Sequence, residues 1–182
     1  CMPLIAGLQN RSEGTVRALL GKELMTENGL LTEQGSSTFW DRSTLYALRG
    51  IYIAGQADRA TEFLSHYARR RLLGDHVPYP IEAWPEGSQR HLAAESGLFC
   101  RVITEGLFGI RPTGFRSFDL TPSMPSGWNR MALRHIRAFE NNFDLVIEKQ
   151  PDGFLRVTLA ISGRNPRAFR LRQGASLRIK LP

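Results

Sequence analysis

Covalent and metal staples are nearly absent from this chain. Its two cysteines are Cys1 and Cys100, too few and too far apart for a disulfide framework or a zinc-ligand spacing. Cys100 falls within an apolar helix candidate, where a free thiol is expected to behave as a small hydrophobe. No apolar run reaches about 18 residues, so no helix able to cross a membrane is expected. The opening Cys1-Met2-Pro3-Leu4-Ile5-Ala6-Gly7-Leu8 lacks a basic region leading a long apolar core and does not read as a signal peptide. The chain therefore reads as starting inside a longer protein, with any signal for a periplasmic or secreted location lying upstream. His66, His76 and His135 show no metal-ligand spacing, and there is no Gly-rich phosphate loop or nucleophile elbow. Neither a metal nor a cofactor is expected.

What is present is ordinary globular material. The 182 residues are 42% hydrophobic and 23% charged, enough apolar chain to build a core and too much for disorder. A net charge of +7 raises the question of a nucleic-acid partner. Placement argues against one. Arg134, Arg137, Arg156, Arg170, Arg172, Arg178 and Lys180 alternate with apolar residues at strand spacing, and no lysine cluster accompanies them. That is the pattern of a solvated sheet face.

The spacing predicts helices in the first part. Val16, Leu19, Leu20 and Leu24 form a stripe over Thr15 to Met25, stopped by Asn28-Gly29. Ser43 fits an N-cap for a helix from Thr44 to about Ala54, apolar nearly all round and so buried on all sides. From Ala57 to Leu73, Ala60, Phe63, Leu64 and Tyr67 make a one-sided helix. A further all-round apolar helix runs on from Leu92 towards Ile110. The alternation of outer and inner helices is what a ring of helical hairpins would show.

After Gly109 the period changes to two. Phe143, Leu145 and Ile147, then Leu155, Val157, Leu159 and Ile161, then Leu177, Ile179 and Leu181 are separated by Pro151-Asp152-Gly153 and Gln173-Gly174. Alternation broken by tight turns predicts antiparallel strands, half of a β-sandwich. The expected fold is thus α+β, with a helical domain over residues 1–110 and an antiparallel β domain over 111–182.

The chemistry-bearing stretch is Tyr79-Pro80-Ile81-Glu82-Ala83-Trp84-Pro85-Glu86-Gly87-Ser88-Gln89-Arg90-His91, a Pro/Gly-rich loop opening onto the last apolar helix. Glu82 and Glu86 are candidates for proton transfer, and Trp84 offers a flat apolar surface for a sugar ring. Gln89 and His91 supply neutral donors and acceptors for hydroxyls. Trp40 offers a second stacking surface, while Asp41 with Arg42 would hold hydroxyls or form an ion pair that fixes the loop. Tryptophans that merely pack, and charges that are merely solvated, remain open as the plainer account. Glu95, one turn into the last helix, would need an arginine partner if buried.

With both parts in view, the chain resembles the C-terminal part of a six-hairpin (α/α)6 glycoside hydrolase with a trailing β-sandwich, the broad group that includes trehalase, processing α-glucosidase and α-L-rhamnosidase families. The resemblance rests on Pro3-Leu4-Ile5-Ala6, Asn28-Gly29-Leu30-Leu31-Thr32, Phe39-Trp40-Asp41-Arg42 and the Glu82–His91 loop, with Pro122-Ser123-Met124-Pro125-Ser126-Gly127-Trp128 at the join to the β domain. It implies hydrolysis of a terminal glycosidic bond by paired carboxylates, with loops before inner helices lining the sugar funnel. In trehalase-like members the base precedes the last inner helix by a few residues. Glu86 stands in that place and Glu82 one step back. The acid would lie in hairpins outside this chain, so the remainder of the same polypeptide is an expected partner, together with an oligosaccharide or glycan. A non-catalytic carbohydrate-binding or scaffold module is the alternative. A phosphorylase would need an anion site that the motifs do not supply.

Overall fold

A computed structural model describes residues 1–73, 83–84 and 93–182. The chain is mixed α and β, and it divides into two compact units, Cys1–Leu107 and Phe108–Pro182.

The first unit opens with a single helical turn, α1 (Met2–Ile5), and α2 (Ser12–Leu19). α2 is shorter than the Thr15–Met25 stripe and starts earlier. Leu20 closes it, and Met25–Thr26 (β1) instead pairs antiparallel with Gly29–Leu30 (β2). Thr26 accounts for the change. Its hydroxyl donates to the Gly29 carbonyl at 2.6 Å and accepts from the Asn28 and Gly29 amides, giving the backbone a turn that competes with a helix. Gly29 has φ +147, and a Cβ there would lie 2.7 Å from Thr44 Oγ1, so only glycine permits the hairpin to approach the next helix.

β3 (Phe39–Trp40) leads directly into α3 (Asp41–Ile53). The helix starts three residues before the expected Thr44, and Ser43 lies inside it. Asp41 in the first turn favours that start through the exposed N–H groups of the helix end. Thr44 stitches the start down: its hydroxyl donates to the Trp40 carbonyl and accepts from the Leu30 amide, both at 2.9 Å. Gly55, at φ +76, follows the helix end.

α3 is the centre of this unit. It packs against α1, α4 (Ala57–Leu72), α5 (Ala93–Arg101) and the wide, π-type turn Val102–Leu107 that continues α5. Leu45, Ala47, Leu48, Ile51 and Tyr52 are buried to 1% exposure or less. α4 is one-sided, burying Ala60, Phe63, Leu64 and Tyr67. α5 departs from the all-round apolar expectation: Leu98 is buried, but Ala94, Gly97, Cys100 and Arg101 are exposed. Cys100 thus faces outwards, contrary to its reading as a small core hydrophobe. Gly106 lets the π turn close on α3, where a Cβ would stand 3.1 Å from the Tyr52 ring. β4 (Ala83–Trp84) pairs with β3, Phe39 opposite Trp84 and Trp40 opposite Ala83.

The second unit is antiparallel throughout. β5 (Ile110–Gly114), β6 (Ser117–Leu120) and, at the far end of the chain, β11 (Leu177–Lys180) form one sheet in the order β11-β6-β5. β7 (Arg130–Ala138), β8 (Asn141–Lys149), β9 (Phe154–Ile161) and β10 (Arg167–Arg172) form a meander in the order β10-β9-β8-β7. The apolar alternation sets the inner face: Phe143, Leu145, Ile147, Leu155, Val157 and Leu159 are all at 1% exposure or less. A one-residue slip would expose every one of them. The two sheets meet at Phe118 of β6, whose ring stacks on Phe143 of β8 with centroids 6.0 Å apart. Gly109, the second residue of the unit, has φ +65, with the Thr121 carbonyl oxygen 1.9 Å from where a Cβ would be.

Candidate functional site

The entry to α3 gathers charge from three helices. Asp41, at 1% exposure, faces Arg71 near the end of α4, with Arg71 Nε donating to Oδ1 at 3.4 Å and Nη2 to Oδ2 at 3.3 Å. A carboxylate at a helix N-terminus and a guanidinium at a helix C-terminus each also meet the favourable end of a helix dipole. The Arg71 guanidinium lies 5.3 Å from the centre of the Phe39 ring. Tyr67, one turn before Arg71, is fully buried. Burial, followed by the negative charge of Asp41, pushes its phenol ionisation well above the ordinary value.

The adjacent residue points to α5. Arg42 Nε donates to Glu95 Oε1 at 2.6 Å, with Glu95 wholly buried and Arg42 about one-third exposed. Glu95 thus has the arginine its burial demands, while its Oε2 has no hydrogen-bond partner among the described residues. Further along, Arg49 of α3 meets Glu105 of the π turn at 2.6 Å, and Glu105 also takes Arg101. Burial lowers the Arg49 ionisation, and Glu105 opposes that shift. Between α3 and α5 runs a shallow groove of about 550 Å³, lined by Arg42, Tyr46, Ala94, Gly97, Leu98 and Arg101. Guanidinium donors, a phenol and a floor opened by Gly97 are groups suited to polyhydroxylated ligands.

The expected site residues divide as follows. Trp40 is partly exposed at 36% and lies on β3. Trp84 lies on β4, and the β3–β4 pairing brings these two backbone segments together. Asp41 is held inside by Arg71, and Arg42 is held at the surface by Glu95. Glu82, Glu86, Gln89 and His91 lie outside the described residues. Sequence reasoning passed over Arg71, Tyr67, Tyr46 and Arg101. Arg71 was signalled by phase: Phe63, Tyr67 and Arg71 recur every four residues on the buried stripe of α4. Tyr46 similarly follows Arg42 by one turn.

Compared with known proteins, the chain matches no family model, no curated protein and no solved structure. Among the described residues no cluster of His, Cys, Asp and Glu is arranged to hold a metal ion, and no helix is long and apolar enough to cross a membrane.

Proposed function

We propose that this chain is the C-terminal part of a glycoside hydrolase, comprising helical hairpins of an (α/α)6 ring and a β-sandwich, and that it acts on a terminal glycosidic bond with paired carboxylates. The observation that carries the reading is the β3–β4 pairing. It ties the Trp40 entry of α3 to Ala83–Trp84 of the Pro/Gly-rich segment, so the two sequence stretches that offer sugar-stacking surfaces share one end of the helical unit. In this reading Trp40 takes a ring face and Arg42 takes hydroxyls, with Trp84 set opposite Phe39 rather than Trp40. Asp41 acts behind them by holding the start of α3 through Arg71. Glu86 is the catalytic base, and Glu82 is its nearest substitute. Two antiparallel sheets meeting through Phe118 and Phe143 support the sandwich.

The test is Glu86→Gln in the polypeptide that carries this chain, assayed by sugar release from small glycosides. The amide keeps size and hydrogen bonding but cannot accept the proton. Turnover should fall by roughly 10²–10⁴-fold with an unchanged melting temperature, and Glu82→Gln should be milder. Near-normal turnover in both variants would overturn the catalytic assignment.

One observation favours a second reading. The described carboxylates at the site, Asp41 and Glu95, are both buried against arginines, leaving aromatic and guanidinium groups at the surface. That inventory also serves a carbohydrate-binding module without chemistry. Glycan binding without turnover in the unmodified protein, weakened by Trp40→Ala, would select it.

A further inference from the structure

The outward face of the four-stranded sheet carries a row of exposed arginines. Along one row across the strands, Arg170 of β10 stands directly opposite Arg156 of β9, Arg156 opposite Glu148 of β8, and Glu148 opposite Arg130 of β7. Arg172 lies two residues along β10 on the same face, opposite Phe154. Two of these cations have partners: Arg130 with Glu148 at 3.4 Å, and Arg170 with Asp152 at 2.7 Å. Among the described residues Arg156 and Arg172 have no carboxylate within salt-bridge distance, and both are exposed. Like charges directly opposite on neighbouring strands are destabilising. Arg170 is neutralised by Asp152, and Arg156 has Glu148 on its other side, so Arg156 and Arg172 are the cations of this face open to an external anion.

The floor beside the row suits a ligand lying flat. The next row reads Ala168, Thr158, Val146 and Ala132, small side chains that leave a shallow shelf. We propose that this face binds an anionic polysaccharide carrying uronate carboxylates, with Arg156 and Arg172 as the carboxylate-binding groups and Arg170, paired with Asp152, beside them. Arginine's planar fork matches a carboxylate with two parallel hydrogen bonds, a geometry the protein itself uses where Arg178 engages both oxygens of Asp119. Nucleic acid fits less well. Single strands need open aromatic faces for their bases, and the aromatic on this face, Phe154, is covered by the Arg170 guanidinium at 3.7 Å. The basic groups are arginines held within a sheet; Lys22, Lys149 and Lys180 are the only lysines. Recognition of the anion rests on the sheet, whereas the choice of a glycan as its carrier rests on the reading of the helical unit as sugar-active.

The full chain should be titrated with polygalacturonate, neutral dextran, dextran sulfate and DNA by calorimetry. Polygalacturonate should bind saturably and lose affinity as salt screens the contacts, and dextran should not bind. Arg156→Gln with Arg172→Gln should weaken binding about tenfold or more. The melting temperature should stay nearly level, because relief of the Arg156–Arg170 repulsion offsets loss of the opposite-charge neighbour Glu148. Equal affinity in wild type and variant would overturn the inference, as would tighter binding of dextran sulfate or DNA than of polygalacturonate. The two proposals fail separately. Glu86→Gln should leave polygalacturonate binding intact, and the double arginine variant should leave turnover of a small neutral glycoside unchanged.

Discussion

Replacing Arg71 by methionine tests how the α3 entry is held. At 3.3 Å, with an effective dielectric of about 20, the attraction between Arg71 and Asp41 is about 5 kcal/mol before desolvation is counted. Both side chains are out of water, at 5% and 1% exposure, so removing the cation leaves a buried carboxylate without the guanidinium that faces it. Losing one member of such a pair costs about 3–5 kcal/mol. The first-turn position of Asp41 offsets about 1 kcal/mol of this through the helix end. The lost cation–π contact with Phe39 adds back about 0.5–1 kcal/mol. Arg71→Met should therefore destabilise the helical unit by about 3–4 kcal/mol, read by urea unfolding followed through tryptophan fluorescence and far-ultraviolet circular dichroism. Asp41→Leu combined with Arg71→Met removes both charges and should cost clearly less than the two single changes added together, with a coupling of about 2 kcal/mol or more. A single-variant cost below about 1 kcal/mol, or simple additivity of the two, would refute the pair's role as the clamp on α3.

Gly109→Ala drives a methyl group against the Thr121 carbonyl at φ +65 and should cost about 3 kcal/mol or more. Gly153→Ala at φ +81, with nothing nearby, should cost only about 1–2 kcal/mol, and equal melting shifts for the two would sink the clash argument. Acid should destabilise the β unit through three aspartates whose ionisation is held below the ordinary range. The Arg178 hydrogen bond does this for Asp119, the His135 amide for Asp144 and the Phe154 amide for Asp152. A depressed folded value means the stabilisation is present above the unfolded carboxylate value of about 3.9 and is lost as pH falls through the lower folded values. Asp144→Asn should flatten part of that dependence in a melting series at pH about 2–5, and an unchanged slope would contradict it. Trp40→Ala should leave stability nearly level but raise KM for a glycoside by up to about tenfold; an unchanged KM would remove Trp40 from the sugar site.

Secondary structure was most legible where one periodicity had no local competitor. Phe143, Leu145 and Ile147 on β8, and Leu155, Val157, Leu159 and Ile161 on β9, announce their strands because only one pairing register buries them all. The α4 span was legible for the same reason: its apolar residues keep one phase over four turns. Boundaries were least legible where a side chain competes for the backbone. Thr26 turns the Leu24–Met25 end of an apparent helix into a hairpin, and Thr44 serves α3 from inside rather than marking its start.

Sequence by itself determined the change from a helical to a two-residue period near Gly109, the buried stripe of α4 and the inner face of β8 and β9, and the residue types available for chemistry. Those follow from local spacing and from the cost of exposing apolar surface. Only the tertiary structure decided which charges meet. Asp41 and Arg71 are thirty positions apart, Arg42 and Glu95 fifty-three, and although helix phase places Arg71 on the buried stripe of α4, no local pattern says which carboxylate it meets. That choice is made by packing, which sets Arg71 against Asp41 while Arg69 and Arg70 stay in water. The same holds for the facing pair Arg156 and Arg170, because strand register, a property of the whole sheet, sets which side chains stand opposite one another.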